Sequence, residues 1–256
     1  MALDLKDVFF RTELVKTLVA RNLKIRYKGS VLGFFWSLLD PLIMIGTYYV
    51  FIKLMRFKVD LPYLVIGVIT WNFFVMCLND GLSAVAGSAN LLKKIYFPRV
   101  ILPVAMIIAN FVNFLLSMLV LITFLMFMGV HIQWLQFGWL FIYLIFEALL
   151  CLGFTLILSA LALFYKDLSH ILSMILFAWF FVTPVFYPVD MVPIKLMPYY
   201  LLNPMSDLII GIRSVLLGTS IPSYLTFYSG FIFAMLLLVV GAFIFSRKEP
   251  FFSDVL

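Results

Sequence analysis

Residues 139–165, WLFIYLIFEALLCLGFTLILSALALFY, carry a single formally charged side chain, Glu147, between Trp139 and Tyr165. A helix rises 1.5 Å per residue, so about 20 apolar residues cross the roughly 30 Å of bilayer hydrocarbon. This stretch is long enough to span. It lacks the period-two alternation of a transmembrane barrel strand. Further apolar runs at about 32–54, 62–85, 100–128, 170–188 and 224–246 predict, with 139–165, an all-α, polytopic membrane protein of six transmembrane helices. Composition agrees: 65% of the 256 residues are hydrophobic and 12% charged. A soluble domain is about half apolar and a quarter charged, and so few charges could not cover a water-facing surface.

Outside the runs the chain changes character. The first 28 residues hold Lys6, Arg11, Lys16, Arg21, Lys24, Arg26 and Lys28 without an uninterrupted apolar core, which does not read as a cleaved signal peptide. Residues 9–28 interleave these cations with Leu14, Val15, Leu18, Val19, Leu23 and Ile25, the pattern of a basic amphipathic helix lying at the membrane surface. Segment 1–30 is therefore assigned to that helix and 31–248 to the transmembrane domain. Segment 86–99 is a polar connection, and 249–256 a short tail. Between the fifth and sixth runs lie Pro184, Pro188, Pro193, Pro198, Pro204 and Pro222, around apolar pieces such as Leu208–Leu217 that are too short to cross. Prolines break helices and fix turns. Region 189–222 is expected to be exoplasmic and re-entrant.

Lys and Arg collect on the cytoplasmic side of a spanning protein. With six spans both termini share a side. That side receives the seven N-terminal cations, Lys93, Lys94, Arg99, Lys166, Arg247 and Lys248, against Lys53, Arg56, Lys58, Lys195 and Arg213 opposite. Both termini are expected in the cytoplasm. The net charge of +6 is thus a topology signal, and no nucleic-acid partner is expected.

Catalytic constellations are missing: there is no H-E-x-x-H, G-x-S-x-G or C-x-x-C. No G-x-x-x-x-G-K-[ST] occurs either, so a pump built on this chain must take its ATPase from a partner. His131 and His170 fall on opposite sides of the membrane in this topology, and no metal site is expected. Cys77 and Cys151 sit in apolar runs and read as small buried hydrophobes. Glu147, roughly 12 Å into its run, either lines a wet path or pairs with a neighbouring helix. Asp40 and Asp80 read as interfacial. Ser37, Asp40, Met44, Thr47, Tyr48 and Phe51 share one face of the first run, and Asn110, Asn113 and Ser117 one face of the third. Such stripes either glue helices together or line a path. Tyr63, Trp71, Trp134, Trp139, Tyr199 and Tyr200 fit an interfacial aromatic belt.

Three stretches carry a resemblance. Arg21-Asn22-Leu23-Lys24-Ile25-Arg26-Tyr27-Lys28-Gly29-Ser30-Val31-Leu32-Gly33 leads to Trp36 and Asp40-Pro41. Asn90-Leu91-Leu92-Lys93-Lys94-Ile95-Tyr96-Phe97-Pro98-Arg99 is followed by Leu102-Pro103. Tyr165-Lys166-Asp167-Leu168-Ser169-His170-Ile171 precedes Trp179, Pro184, Tyr187-Pro188 and Asn203-Pro204. In order and spacing these resemble the ABC-2 type permeases, above all the polysaccharide exporters for O-antigen, capsule or teichoic acid. Asn22 stands where Asp is usual, and Lys166 where Arg is more common.

The resemblance implies a homodimer in the bacterial inner membrane, driven by two copies of a separate ATPase subunit that binds ATP and Mg²⁺, and moving a lipid-linked polysaccharide. It implies a coupling segment on that ATPase formed by Lys93, Lys94, Ile95, Tyr96, Phe97, Pro98 and Arg99, with Lys166, Asp167 and His170 as a second contact. Arg21, Lys24, Arg26, Tyr27 and Lys28 would belong to an interface helix that gates lipid-linked substrate. A path between subunits is expected to draw on Ser37, Asp40, Thr47, Tyr48 and Phe51, on Trp179, Phe180 and Thr183, and on Glu147. The alternatives are an ABC-2 exporter of a small hydrophobic molecule and a membrane-embedded enzyme acting on lipid-linked sugars. The missing catalytic constellation argues against the enzyme. A secondary carrier would be expected to show more mid-membrane carboxylates than Glu147.

Overall fold

The computed structural model describes residues 11–56, 59–93, 97–132, 136–219 and 224–252. Every regular element among them is helical. The longer helices are α1 Thr12–Tyr27, α2 Trp36–Met55, α3 Leu61–Ser83, α4 Ile101–Phe127, α5 Phe137–Leu161, α6 Leu168–Val182, α7 Pro204–Leu217 and α8 Tyr224–Lys248. Single-turn helices at Ala89–Leu92 and Met197–Tyr200 and several 3-10 turns join them.

Among the described residues five helices are long and apolar enough to cross a membrane: α2, α3, α4, α5 and α8. The remaining expected span, 170–188, is the 15-residue α6, which stops at Val182. Its end has a local cause. Thr183 is extended, at φ −104° and ψ 142°, because the ring of Pro184 disfavours helical geometry in the residue before it. The first span starts later than 32 because Gly33–Phe35 forms a 3-10 turn, with Gly33 at φ 52°.

The bundle has an enclosed half and a lightly packed half. α3, α5, α7 and α8 pack on one another. In α7 every side chain but those of Ile210 and Leu217 is buried. Sequence builds that helix plainly: Asn203 caps it by accepting from Met205 N at 3.1 Å, Pro204 takes its first position, and Gly218, at φ 68°, ends it. α5 and α8 form the most extensive helix pair. They approach so closely that a Cβ on Gly241 would stand 2.5 Å from the Gly153 carbonyl oxygen. Small residues at such a crossing let two backbones meet. A second, smaller cluster closes the basic end of the bundle. It joins Leu18 of α1 to Phe97, Ile101, Leu156, Phe245 and Phe252.

Two expectations are corrected by this packing. Trp71, assigned to an interfacial belt, is 5% exposed and packs against Phe74, Trp179 and Phe180, because α3 is covered by its neighbours. Tyr200 is buried as well, whereas Trp134 lies outside the described residues. Arg213, counted as a loop charge, is 3% exposed on α7. It donates to the carbonyls of Tyr63 at 2.9 Å, Pro184 at 2.5 Å and Val185 at 2.7 Å, and lies 3.6 Å from the centre of the Tyr63 ring. Burial lowers its pKa to about 10, so the guanidinium stays charged at neutral pH.

The α5–α8 contact predicts an asymmetric response to one added methyl. Gly241→Ala should destabilise the protein by about 1–3 kcal/mol through overpacking, read as a lower melting temperature in detergent. Gly46→Ala, where nothing lies within 4 Å of the new Cβ, should leave the melting temperature unchanged or raise it slightly, since Ala is the better helix former.

Candidate functional site

The polar stripes of α2 and α4 meet. Asn110, Asn113 and Ser117 lie at helical spacing on α4, and Ser37, Asp40 and Met44 do so on α2. Between these helices, with Asn72 and Phe73 of α3 and Phe114 of α4, opens a cleft of about 290 Å³. α1 packs across α4, held by Leu18 in the small cluster, and its last turn brings Arg26 and Tyr27 to the cleft.

The edge of the cleft is a hydrogen-bonded knot. Arg26 Nη2 pairs with Asp80 Oδ2 at 2.5 Å and donates to Asn110 Oδ1 at 2.5 Å, while Asn110 Nδ2 donates to the same Asp80 oxygen at 3.0 Å. Tyr27 donates its hydroxyl to Asn113 Oδ1 at 3.2 Å. Burial raises the Tyr27 pKa above its ordinary value, so this hydroxyl is a donor at neutral pH. Asn113 Nδ2 is buried with no partner among the described residues. Two ring faces, Phe73 and Phe114, stack at 4.2 Å beside these groups. Carboxylates, amides, a phenol and stacked rings together suit a ligand that is rich in hydroxyls and also has apolar faces. Asp80 is thus the partner of Arg26. Sequence showed both charges, but their pairing spans 54 positions and needed the fold.

The other expected residues lie in several places. Thr47 and Phe51 are exposed along α2, beyond the cleft, and Tyr48 is half-buried against the main core. Trp179 donates from Nε1 to Asn203 Oδ1 at 3.0 Å, and the buried Thr183 accepts from Asn203 Nδ2 at 2.9 Å. Phe180 stacks on Phe186 at 5.5 Å. Glu147 is 0% exposed, and both its oxygens lack a hydrogen-bond partner among the described residues. It lies in the protein interior and does not line the cleft. Arg21 reaches Ser88 at 3.4 Å, and Lys24 and Lys28 are exposed.

At the basic end Lys93, Lys166, Asp167 and His170 are exposed and Pro98 is half-buried. Lys94, Ile95 and Tyr96 lie outside the described residues. Phe97, expected to offer an aromatic anchor to a partner, is instead 4% exposed, because it fills the protein's own small cluster. Arg99 is tied to the chain's end: its backbone N donates to Glu249 Oε1 at 3.0 Å and its Nη1 to the Glu249 carbonyl. Among the described residues no group of His, Cys, Asp and Glu is placed to hold a metal.

The sequence pattern of the ABC-2 type transporter family matches residues 13–217. The chain is 29% identical, over the whole of both chains, to an O-antigen export system permease protein RfbA of Klebsiella pneumoniae. It is 30% identical, over 98% of each chain, to the O-antigen export system permease protein RfbA of Myxococcus xanthus.

The knot at the cleft can be measured. Arg26→Met and Asp80→Asn should each lower stability slightly, and a double-mutant cycle should return a coupling of about 1 kcal/mol or less, as for partly exposed pairs. The coupling should shrink as salt is added. A cycle with no coupling at low salt would show that the two side chains do not meet.

Proposed function

The chain belongs to the ABC-2 type transporter family, and on that premise we propose that it is the membrane-spanning permease subunit of an ATP-driven exporter of an O-antigen-like, lipid-linked polysaccharide. Relatives named as O-antigen export permeases match it from end to end, which supports the substrate class. The observation that carries the reading is the polar, aromatic cleft set among membrane-spanning helices beneath a basic helix. A small hydrophobic cargo would find little there to hydrogen-bond. Sugars offer hydroxyls to Asp40, Asn72 and Asn113, beside an apolar wall that includes Pro41, Met44 and Ile69.

In this reading α6 completes six spans, both termini are cytoplasmic in the bacterial inner membrane, and α7 is a re-entrant helix near the exoplasmic face. The lipid stays in the bilayer beside α1 while the first sugars enter the cleft, loosening Arg26 from Asp80. Two copies of the chain enclose the path. α2 and α6, whose outer faces expose Leu42, Val50, Phe51, Ile171, Met174 and Phe177, lie toward it. Two copies of a separate ATPase subunit supply ATP and Mg²⁺ chemistry. They dock on the exposed Lys93, Lys166, Asp167 and His170 and on the neighbouring 94–96 stretch.

Two outcomes test this. Co-expressed with its ATPase, the wild-type chain should restore surface glycan to cells lacking their own permease. Asp40→Ala and Asn113→Ala should cut that export about tenfold or more, as for lost hydrogen bonds to substrate, without weakening pull-down of the ATPase. Unchanged export would remove the cleft from the path. For topology, Lys28→Cys and Arg247→Cys should resist an impermeant maleimide in intact cells while Asp190→Cys reacts. Labelling of either of the first two from outside would overturn the six-span arrangement.

A further inference from the structure

Residues 248–252 join two parts of the basic end that lie far apart in sequence. α4 begins at Ile101, just after the turn at Pro98. The first backbone N–H groups of a helix have no partner within it. That of Arg99 is met from 150 positions away: it donates to Glu249 Oε1 at 3.0 Å. A carboxylate there also suits the positive end of the α4 dipole. Arg99 returns the contact. Its Nη1 donates to the Glu249 carbonyl, and its guanidinium carbon lies 5.7 Å from the centre of the Phe252 ring.

The 3-10 turn Glu249–Phe251 continues α8 and brings Phe252 inward, to 0% exposure. There Phe252 meets Phe245 at 5.3 Å and Phe164 at 6.3 Å between ring centres. Phe97, Leu91 and Leu92 pack in the same cluster. Lys248 Nζ stands 5.0 Å from the centre of the Phe164 ring. Phe97 and Arg99 close the 93–99 segment, and Phe164 comes two residues before Lys166. One short turn thus touches the roots of both stretches, while Lys93, Lys166, Asp167 and His170 are exposed beyond them.

We propose that residues 249–252 are a clasp that holds the two ATPase contacts, 93–99 and 166–170, in register with each other, with Glu249 as its positioning residue. The inference rests on the reading of the chain as a permease that docks an ATPase on those two segments. A docking surface built from two separate loops binds well only if their spacing is set before the partner arrives, because ordering them on binding costs affinity. The clasp sets that spacing. Glu249 acts through Arg99, and Phe252 through Phe97 and Phe164.

The test separates positioning from plain stability. Glu249→Gln keeps an acceptor oxygen for the Arg99 N–H, and Glu249→Ala removes it. In the full chain in nanodiscs without ATPase, a nitroxide on Lys93→Cys reports how firmly the segment is held. Its spectrum should sharpen in Glu249→Ala and match the wild type in Glu249→Gln. A nitroxide on Thr47→Cys, on the distant exposed face of α2, should not change in either. On unlabelled protein, affinity for the ATPase subunit should fall about tenfold in Glu249→Ala, the order of one lost hydrogen bond to a charged group. Glu249→Gln should restore it. Phe252→Leu keeps the carboxylate but takes away the ring beside Arg99 and Phe164, and should act in the same direction as Glu249→Ala. Affinities are read on the monodisperse fraction, so a loss of yield does not enter them. A lower melting temperature with wild-type affinity and spectra would reduce the turn to ordinary packing and overturn the clasp. A loosened Lys93 label with unchanged affinity would overturn it too. A wild-type chain that binds no ATPase would overturn the permease reading beneath the proposal, whatever the spectra show.

Discussion

Hydrocarbon offers a backbone no hydrogen bonds, so a chain that leaves helical geometry inside a membrane protein must find its partners within the protein. At the break between α6 and α7 Arg213 supplies such partners. One guanidinium serves three carbonyls from two segments, those of Tyr63 at the start of α3 and of Pro184 and Val185 after α6. Its planar fork of donors allows this, where an ammonium would act as a point charge. Carbonyl dipoles and the Tyr63 ring face stabilise the cation. The arrangement lets the chain turn back after Pro184 and lay α7 into the bundle. α7 in turn gives α3, α5 and α8 a shared surface.

From that surface follows a division of labour. The enclosed helices form a frame in which α5 and α8 cross closely at Gly153 and Gly241. α1 and α2, which bound the cleft, and α6 expose more of their surface. α1 is held by Leu18 and by the Arg26 and Tyr27 hydrogen bonds, and α6 by one stripe of Leu168, Leu172, Leu176 and Trp179 against the main core. The cleft opens where α1 and α2 meet the frame. There Asn113 accepts from Tyr27, while its Nδ2 has no partner among the described residues.

Sequence reading recovered five of the six expected runs as helices of spanning length among the described residues, because a continuous apolar stretch states its own length. It recovered the α4 stripe and the Ser37, Asp40 and Met44 part of the α2 stripe, because polar residues at helical spacing stand out in apolar runs. What those stripes face was not legible. A helix apolar all round gives no sign of which side meets protein and which meets lipid. For the same reason Trp71 read as belt and Phe97 as an exposed anchor, although both are core residues. Arg213 was misassigned because its partners are backbone carbonyls, which leave no trace in side-chain patterns. Pro184 did carry the signal for the end of α6, since the residue before a proline avoids helical geometry, but the apolar run continued through it and masked the boundary.

The short α6 ties the protein to the thickness of its surroundings. In the proposed six-span arrangement α6, at about 22 Å against roughly 30 Å of hydrocarbon, meets the bilayer with a deficit of about 8 Å. Lipid beside it must thin, or the helix must stand upright to span as much as it can. A thicker, stiffer bilayer therefore favours the upright setting of α6 and a thinner one tolerates tilt. In that arrangement membrane composition acts as a mechanical load on this one helix.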